Sequence, residues 1–446
     1  MKHRKFLSSD NPIDILRQVE EILSEEPAVE TGNLRHVVKK FLKRRESFLN
    51  LANKYSTPFY LLDLQELKSS IENFTISFKT FVPKNKVYYA MKTNHHPVIL
   101  QTIVANGFGL DVSSVREFNL GRDAGCTDMI FTGPGKTIDD LLFVLQKDKN
   151  IIIQVDSFGE LKRLAKVAKK LNQKIKAGIR IYTKQHGKWN KFGIPLQELK
   201  AFWQGAKQYP LIDLRGIQFH LSWNESAKPY QNVIKELAKY LKTNFTQVEL
   251  NEIKFIDFGG GFRPFQSEGT YPRLIPQGSI IKTANDYKGK TTKFFDKYLI
   301  SSSITINDFA REIGKAIRMY LDPLVSCEYY TEPGRIISNN AMHIVLKAVD
   351  KKTNNNVIMN GGINMIGYER FEYDYFPLIN LSQPSLTEHS CTIYGNLCMP
   401  DDLWGYYYYG ENINEGDILL VPYQGCLTYS LAQNFIQPIP PVYILK

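Results

Sequence analysis

Lys92, Asp111, His220, the run Gly259-Gly260-Gly261, Glu332 and Arg335 are polar or conformationally special residues that share one kind of place. Each lies at the end of a short apolar segment: Tyr89-Ala90-Met91-Lys92, Leu110-Asp111-Val112, Phe219-His220, Phe258 before the glycines, and Thr331-Glu332-Pro333-Gly334-Arg335. A lysine at the mouth of an apolar core either snorkels to water or is desolvated. Desolvation lowers its pKa and frees the amine to condense with a carbonyl. Three glycines in a row make a tight turn, or let backbone N–H groups approach an anion closely. An arginine such as Arg335 can fork onto phosphate, and Glu332 could hold a ring nitrogen protonated so that the ring draws electrons. A strand-end histidine is either a packed structural residue or a flat partner for an aromatic ring.

The elements that must position these residues alternate. Val87–Met91, Leu110–Ser113, Met129–Thr132, Ile151–Val155, Ala177–Ile181, Ile217–Leu221, Phe255–Phe258 and Val325–Thr331 have the composition of strands. Amphipathic stretches such as Phe158–Leu171, Val233–Leu241 and Ile306–Leu321 lie between them. Eight strands alternating with helices predict a parallel (β/α)8 barrel, whose sites gather at the C-terminal strand ends. Residues 262–304 form an insertion with no legible pattern. After residue 340 the period changes to short strands (Ala341–Val349, Val357–Met359, Leu378–Leu381, His389–Ile393, Ile418–Val421, Val442–Leu445), which predicts a mostly β domain. Tyr406–Tyr409 reads as packing or interface. Two helices are expected within residues 11–53, so the organisation expected is a helical extension at 1–54, a barrel at 55–340 and a β domain at 341–446.

Composition narrows the classes. The net charge is +11, but Lys and Arg are dispersed among Asp and Glu. The densest run, Lys39-Lys40 to Lys43-Arg44-Arg45, shares helical spacing with Val38, Phe41, Phe48 and Ala52 and reads as a solvated helix face, not a nucleic-acid patch. No apolar run is long enough to span a membrane, and the charged N-terminus lacks a signal-peptide core, so a cytoplasmic location is expected. The five cysteines have neither metal-ligand spacing nor a disulfide framework, and no metal is expected.

Taken in order, the motifs resemble the fold type III pyridoxal-phosphate (PLP) decarboxylases, the family of ornithine, diaminopimelate and biosynthetic arginine decarboxylases. The resemblance covers roughly residues 55 to 437. It is carried by Tyr89–Lys92, Asp111 with Ser114 and Glu117, Gly133-Pro134-Gly135-Lys136, Arg180 with Lys191-Phe192-Gly193, His220, Gly259–Gly261 and Glu332–Arg335. It implies that Lys92 carries PLP as a Schiff base, that His220 stacks on the ring and that Glu332 pairs with the ring nitrogen. Asp111, Gly259, Gly260, Gly261, Gly334 and Arg335 join the cofactor site, with the glycines and Arg335 on the phosphate. The run Gly395-Asn396-Leu397-Cys398-Met399-Pro400-Asp401-Asp402 matches the family's Cys-x-x-x-Asp pattern, which implies that Cys398 protonates the substrate α-carbon. The other four cysteines suit buried packing. A homodimer is implied, with each site completed by the C-terminal domain of the other copy.

Three positions depart from the pattern. Trp223 replaces a phosphate-binding serine, leaving Ser222 as a substitute. Gly425-Cys426-Leu427-Thr428 lacks a phosphate tyrosine, leaving Tyr429. Met399 replaces the acid that meets a distal substrate amine, while Asp374 matches another substrate aspartate and Arg370 lies close to where diaminopimelate enzymes hold a distal carboxylate. The expectation is an amino-acid α-decarboxylase whose substrate carries a distal carboxylate. A racemase of the same fold, which lacks the cysteine run, and a non-catalytic PLP-binding homologue are the alternatives.

Overall fold

The computed structural model describes residues 13–14, 17, 21, 34–187, 191–265, 269–271, 276–287, 289, 298–300, 303–367 and 374–445. The chain forms two units: 65–264 with 303–339, and 1–64 with 265–302 and 340–446.

The first unit is the barrel. Strands β2 (Asn85–Ala90), β3 (Gly109–Val112), β4 (Met129–Phe131), β5 (Ile152–Val155), β6 (Ile175–Tyr182), β7 (Ile212–Gln218), β8 (Phe255–Asp257) and β9 (Glu328–Thr331) pair in parallel. β9 closes on β2, so the sheet is a continuous ring. Strands such as Ile152–Val155 are buried at every residue because helices cover one face and the barrel interior the other. Their helices start from hydroxyl caps. Ser114, Thr137, Ser157 and Thr305 each accept the backbone N–H three residues on, which satisfies a donor the helix leaves unpaired. All eight expected barrel strands are present.

Two matched motifs have structural work here. Ser114 caps its helix while Glu117 accepts the Ser113 N–H at 2.7 Å, fixing the turn after β3. Lys136 is buried, 2.8 Å from the buried Glu160, and donates to the carbonyls of Gly133 (2.5 Å) and Gln154 (2.9 Å). Breaking that pair would strand a charge in the core.

The second unit is built on antiparallel and mixed pairing. β10 (Met342–Thr353), β11 (Asn356–Met359), β13 (Glu388–Tyr394), β14 (Leu403–Tyr409), β12 (Leu378–Asn380) and β15 (Ile418–Val421) form a closed circuit, since β10 pairs with both β11 and β15. β1 (Phe59–Asp63) pairs antiparallel with β10 and parallel with β16 (Val442–Leu445). β1 was not among the expected strands and sits in this unit. The tyrosine run is the strand β14, with Tyr408 and Tyr409 buried.

Helices Arg35–Leu42 and Arg45–Lys54 pack here through Val38, Phe41 and Phe48, whereas Lys39, Lys40 and Lys43 face solvent. Arg44 pairs with the buried Asp63 at 2.5 Å, so the basic run also anchors the helices. Ile15, Val19, Ile22 and Leu23, whose helical spacing predicts the first of the two N-terminal helices, lie outside the described residues. Within 262–304 the described elements are Gly269–Thr270, a helix at Pro276–Tyr287 and Leu299–Ile300, and Gly269–Thr270 pairs with both Leu299–Ile300 and Asp374–Tyr375. No helix among the described residues is long and apolar enough to cross a membrane.

Candidate active site

The barrel brings one end of its parallel strands together, and the chemistry-bearing residues lie there. Lys92 sits on a single 3-10 turn, Met91–Thr93, directly after β2. Its side chain is exposed. Thr93 braces the turn by donating to the Ala90 carbonyl at 2.7 Å.

Asp111, in β3, is buried. Thr132 donates to its Oδ1 at 2.5 Å, while its Oδ2 meets no hydrogen-bond partner among the described residues. Burial first, and then the Glu332 carboxylate, push its pKa up to about 7, while the charge of Lys92, the Thr132 bond and Arg180 pull the other way. These influences put Asp111, Lys92, Arg180 and Glu332 within electrostatic reach of one another. Asp257, fully buried at the end of β8, is held well above the usual carboxyl range, first by burial and then by Glu332. In the sequence Asp257 has no motif of its own and stands out only by lying two residues before the glycine run.

Glu332 follows β9 and is buried. Gln218 donates to its Oε1, and His220 Nδ1 lies 3.4 Å from its Oε2. Gln218, from β7, also went unremarked in sequence, because an interior strand glutamine has no motif around it. The Gly260 N–H donates to His220 Nδ1 at 3.2 Å. Burial, with the positive charges of Lys92 and Arg180, holds the His220 pKa well below its usual value, so the imidazole stays neutral.

The glycine run is required by contact. A Cβ on Gly260 would lie 2.1 Å from the Glu332 carbonyl oxygen, and one on Gly261 (φ +90) would lie 1.9 Å from that of Leu221. The glycines therefore let the turns after β7, β8 and β9 touch, a role independent of any anion. A Cβ on Gly334 would lie 2.4 Å from Thr93 Cγ2. Arg335 starts a four-residue helix, and its guanidinium lies 4.3 Å from the Trp223 ring centre. Ser222 and Trp223 are exposed.

The second unit carries the remaining expected residues. Cys398 is exposed and Met399 half-buried in the turn after β13, while the other four cysteines are buried. Asp402 builds that turn: its Oδ1 accepts the Ile363 N–H at 2.8 Å and its Oδ2 the Leu397 N–H at 2.6 Å. The aspartate of Cys-x-x-x-Asp thus holds the loop that presents the cysteine. Tyr429 is half-buried, edge-on to Tyr60 at 5.6 Å, just after Leu427 with φ +54. Asp374 lies in the strand pair Asp374–Tyr375. Arg370 lies outside the described residues.

These residues fit a phosphorylated pyridine cofactor. The barrel end offers a buried carboxylate oxygen on Asp111 without a partner among the described residues, a buried carboxyl at Glu332, a neutral imidazole and an arginine.

Comparison with known proteins agrees. Residues 68–339 match the model of the pyridoxal-dependent decarboxylase, pyridoxal binding domain. A diaminopimelate decarboxylase of Campylobacter jejuni is 24% identical over 407 residues, covering 87% of this chain and 90% of that protein. The crystal structure of diaminopimelate decarboxylase from Helicobacter pylori complexed with L-lysine superposes with a TM-score of 0.71 at 22% identity, covering 90% of this chain and 94% of that one. Lysine/ornithine decarboxylase from Vibrio vulnificus, complexed with putrescine, superposes with a TM-score of 0.70 at 19% identity, covering 90% and 98%. The domain match spans more than half of the chain, which belongs to the pyridoxal-dependent decarboxylase family.

Proposed function

We propose that this protein is a PLP-dependent amino-acid α-decarboxylase, with Lys92 as the residue that carries the cofactor. The observation that supports it most is Glu332. It is buried, oriented by Gln218 and adjacent to a neutral His220, at the barrel end that also holds Lys92. When bound, PLP supplies an electron-poor ring that accepts the electron pair left as the substrate's α-carboxylate departs as carbon dioxide.

The chain's residues divide the remaining work. Glu332 would pair with the ring nitrogen and keep it protonated, its carboxyl oriented by the Gln218 bond. His220 would stack on the ring, neutral so that it does not compete for that proton. Asp111, within electrostatic reach of Lys92, would join the cofactor site, and Arg335, Gly259–Gly261, Ser222 and Tyr429 would hold the phosphate. Cys398 delivers a proton from its Sγ to the α-carbon once the carbon–carboxylate bond has broken. Cys398 of one copy completes the site built on Lys92 of the other, so the active unit is a homodimer, working in the cytoplasm.

Met399 argues for the substrate's tail. A thioether cannot pair an ammonium, and burying one beside it costs several kcal/mol, on the order of a lost charged partner. Arg370 offers a fork for a distal carboxylate, worth about 1.5–3 kcal/mol, with Asp374 beside it in sequence. We infer a substrate bearing a distal carboxylate; diaminopimelate, which carries an ammonium beside its distal carboxylate, tests this from the middle, favoured by Arg370 and disfavoured by Met399. The test is kcat/KM for diaminopimelate, a dicarboxylic amino acid, lysine and ornithine, in wild type and Arg370→Ala. Losing Arg370 should cost about tenfold or more on the carboxylate-tailed substrates and little on ornithine. If ornithine or lysine is the best substrate and Arg370→Ala is silent, the carboxylate reading fails. If no amino acid yields an amine, the enzyme reading fails in favour of a non-catalytic homologue.

A further inference from the structure

The barrel interior is stacked in layers, because residues two apart on a strand face the same way. Tyr88, Ile130, Ile152, Phe255 and Tyr330 form a buried apolar layer, in which the Phe255 and Tyr330 rings stack with centres 4.5 Å apart. Two residues on from four of these stand Thr132, Gln154, Asp257 and Glu332, every one buried and polar. Gln218, the register partner of Asp257 on the neighbouring strand, is buried beside them.

Charge sets this second layer apart. Asp257 and Glu332 are both carboxyls, and Asp111 is a third within electrostatic reach. The charges that bear most on Asp257 are those of Glu332 and Asp111, both of its own sign, whereas Lys92 and Arg180 bear on Asp111. The other groups around Asp257 do not neutralise it. His220 is neutral, and the phenols of Tyr88 and Tyr330 are held above their usual range, in part by Asp257 itself. Lys86, over those two rings, pairs with Asp128 at 2.7 Å. Two adjacent carboxylates in a layer that excludes water are costly, so one of the pair retains a proton.

Hydrogen bonding indicates which. Asp257 lies within hydrogen-bonding reach of Glu332, and two ionised carboxyls cannot bond because neither can donate. Glu332 Oε1 already accepts the Gln218 amide. Asp257 Oδ1 accepts the Gly259 N–H at 2.9 Å, while among the described residues its Oδ2 accepts only the Gln154 amide, at 3.3 Å. Oδ2 is therefore the atom least committed as an acceptor, and it is the place for the proton.

We propose that Asp257 is a positioning residue for Glu332: it holds the proton that the two carboxyls share and donates it to Glu332. The negative charge is thereby left on Glu332, whose carboxyl is fixed by Asp257 and Gln218 together. The consequence for a cofactor rests on the reading of Glu332 as the partner of a ring nitrogen. The shared proton does not, because it belongs to the chain alone.

The test compares the full chain with Asp257→Asn, whose amide keeps an acceptor for the Gly259 N–H and a donor for Glu332. Its second N–H can meet Gln154 Oε1, which has no hydrogen-bond partner among the described residues. The infrared difference spectrum of wild type against variant, at neutral pH, should show the carbonyl band of one protonated carboxyl. Because folding raises the Asp257 pKa, the folded chain holds more protons than the unfolded one above the ordinary carboxyl range, and this contribution to stability is lost as pH rises. The folding constant of Asp257→Asn relative to wild type, from urea unfolding, should therefore rise with pH by up to about tenfold per unit. No such band, a ratio flat with pH, or a variant that does not fold overturns the proposal. Where the wild type binds PLP, the variant should bind within about threefold of it, since its amide holds Glu332 in the same way, and a greater loss also overturns the proposal. Failure of the cofactor reading looks different, because the wild type would then bind no PLP while the band and the slope remain.

Discussion

Asp111 in the barrel and Asp402 in the β unit are equally hidden, each with 1% of its surface exposed, yet they differ in what the chain does with them. Both oxygens of Asp402 are taken by backbone N–H groups, from Ile363 and Leu397. Asp111 has one oxygen held by Thr132 and a second, equally buried, that meets no hydrogen-bond partner among the described residues. Burying a carboxyl oxygen without a donor is costly, so a chain that does so reserves it for something else. Burial alone does not separate a structural carboxyl from a functional one; the fate of each oxygen does.

That contrast can be broken by substitution. The largest effect belongs to the residue whose loop Asp402 builds. Cys398→Ala should lower kcat by about 100- to 10,000-fold, the range of a lost proton donor, and leave the melting temperature unchanged because the side chain is exposed. Mixing Cys398→Ala with Lys92→Ala should restore activity, since a mixed dimer then holds one site with neither defect. No recovery after demonstrated subunit exchange would remove the shared site.

Next in size is Asp402→Ala, which leaves two buried N–H groups without acceptors and should cost about 2–6 kcal/mol in urea unfolding, at about 1–3 kcal/mol for each. Asp111→Asn should do the reverse: little loss of stability, but about tenfold weaker cofactor binding through a lost charge-assisted bond. The sign of its pH dependence sharpens the comparison. Because folding raises the Asp111 pKa to about 7, the folded chain binds more protons than the unfolded one between the ordinary carboxyl range and pH 7. Its contribution to stability is therefore lost as pH rises towards 7, and Asp111→Asn should gain stability relative to wild type over that interval. If the two variants behave alike, the distinction between the aspartates is wrong.

The same logic marks what was legible in the sequence. The eight barrel strands could be read because each is a short apolar run bounded by turn residues, and the residues after them fall at one end of any parallel barrel. β1 could not. Its partners are Met342–Val345 and Val442–Leu445, hundreds of residues away, and five buried residues in a row carry no period. The pairing of Gly269–Thr270 with Leu299–Ile300 and Asp374–Tyr375 is too short to leave a pattern. Within the site, Lys92, His220, Glu332 and Arg335 announced themselves by type and place. Gln218 did not, and Asp402 was legible only as part of a motif and not by its role, because each works through hydrogen bonds to particular atoms that only the folded chain brings near.

The central claim is that Lys92 carries the cofactor, and borohydride reduction tests it most directly. Purified protein supplied with PLP should be yellow, and reduction followed by peptide mapping should place the label on Lys92 alone, with Lys92→Ala losing both the colour and the label. A label on another lysine, or a reducible chromophore that survives in Lys92→Ala, would contradict the account.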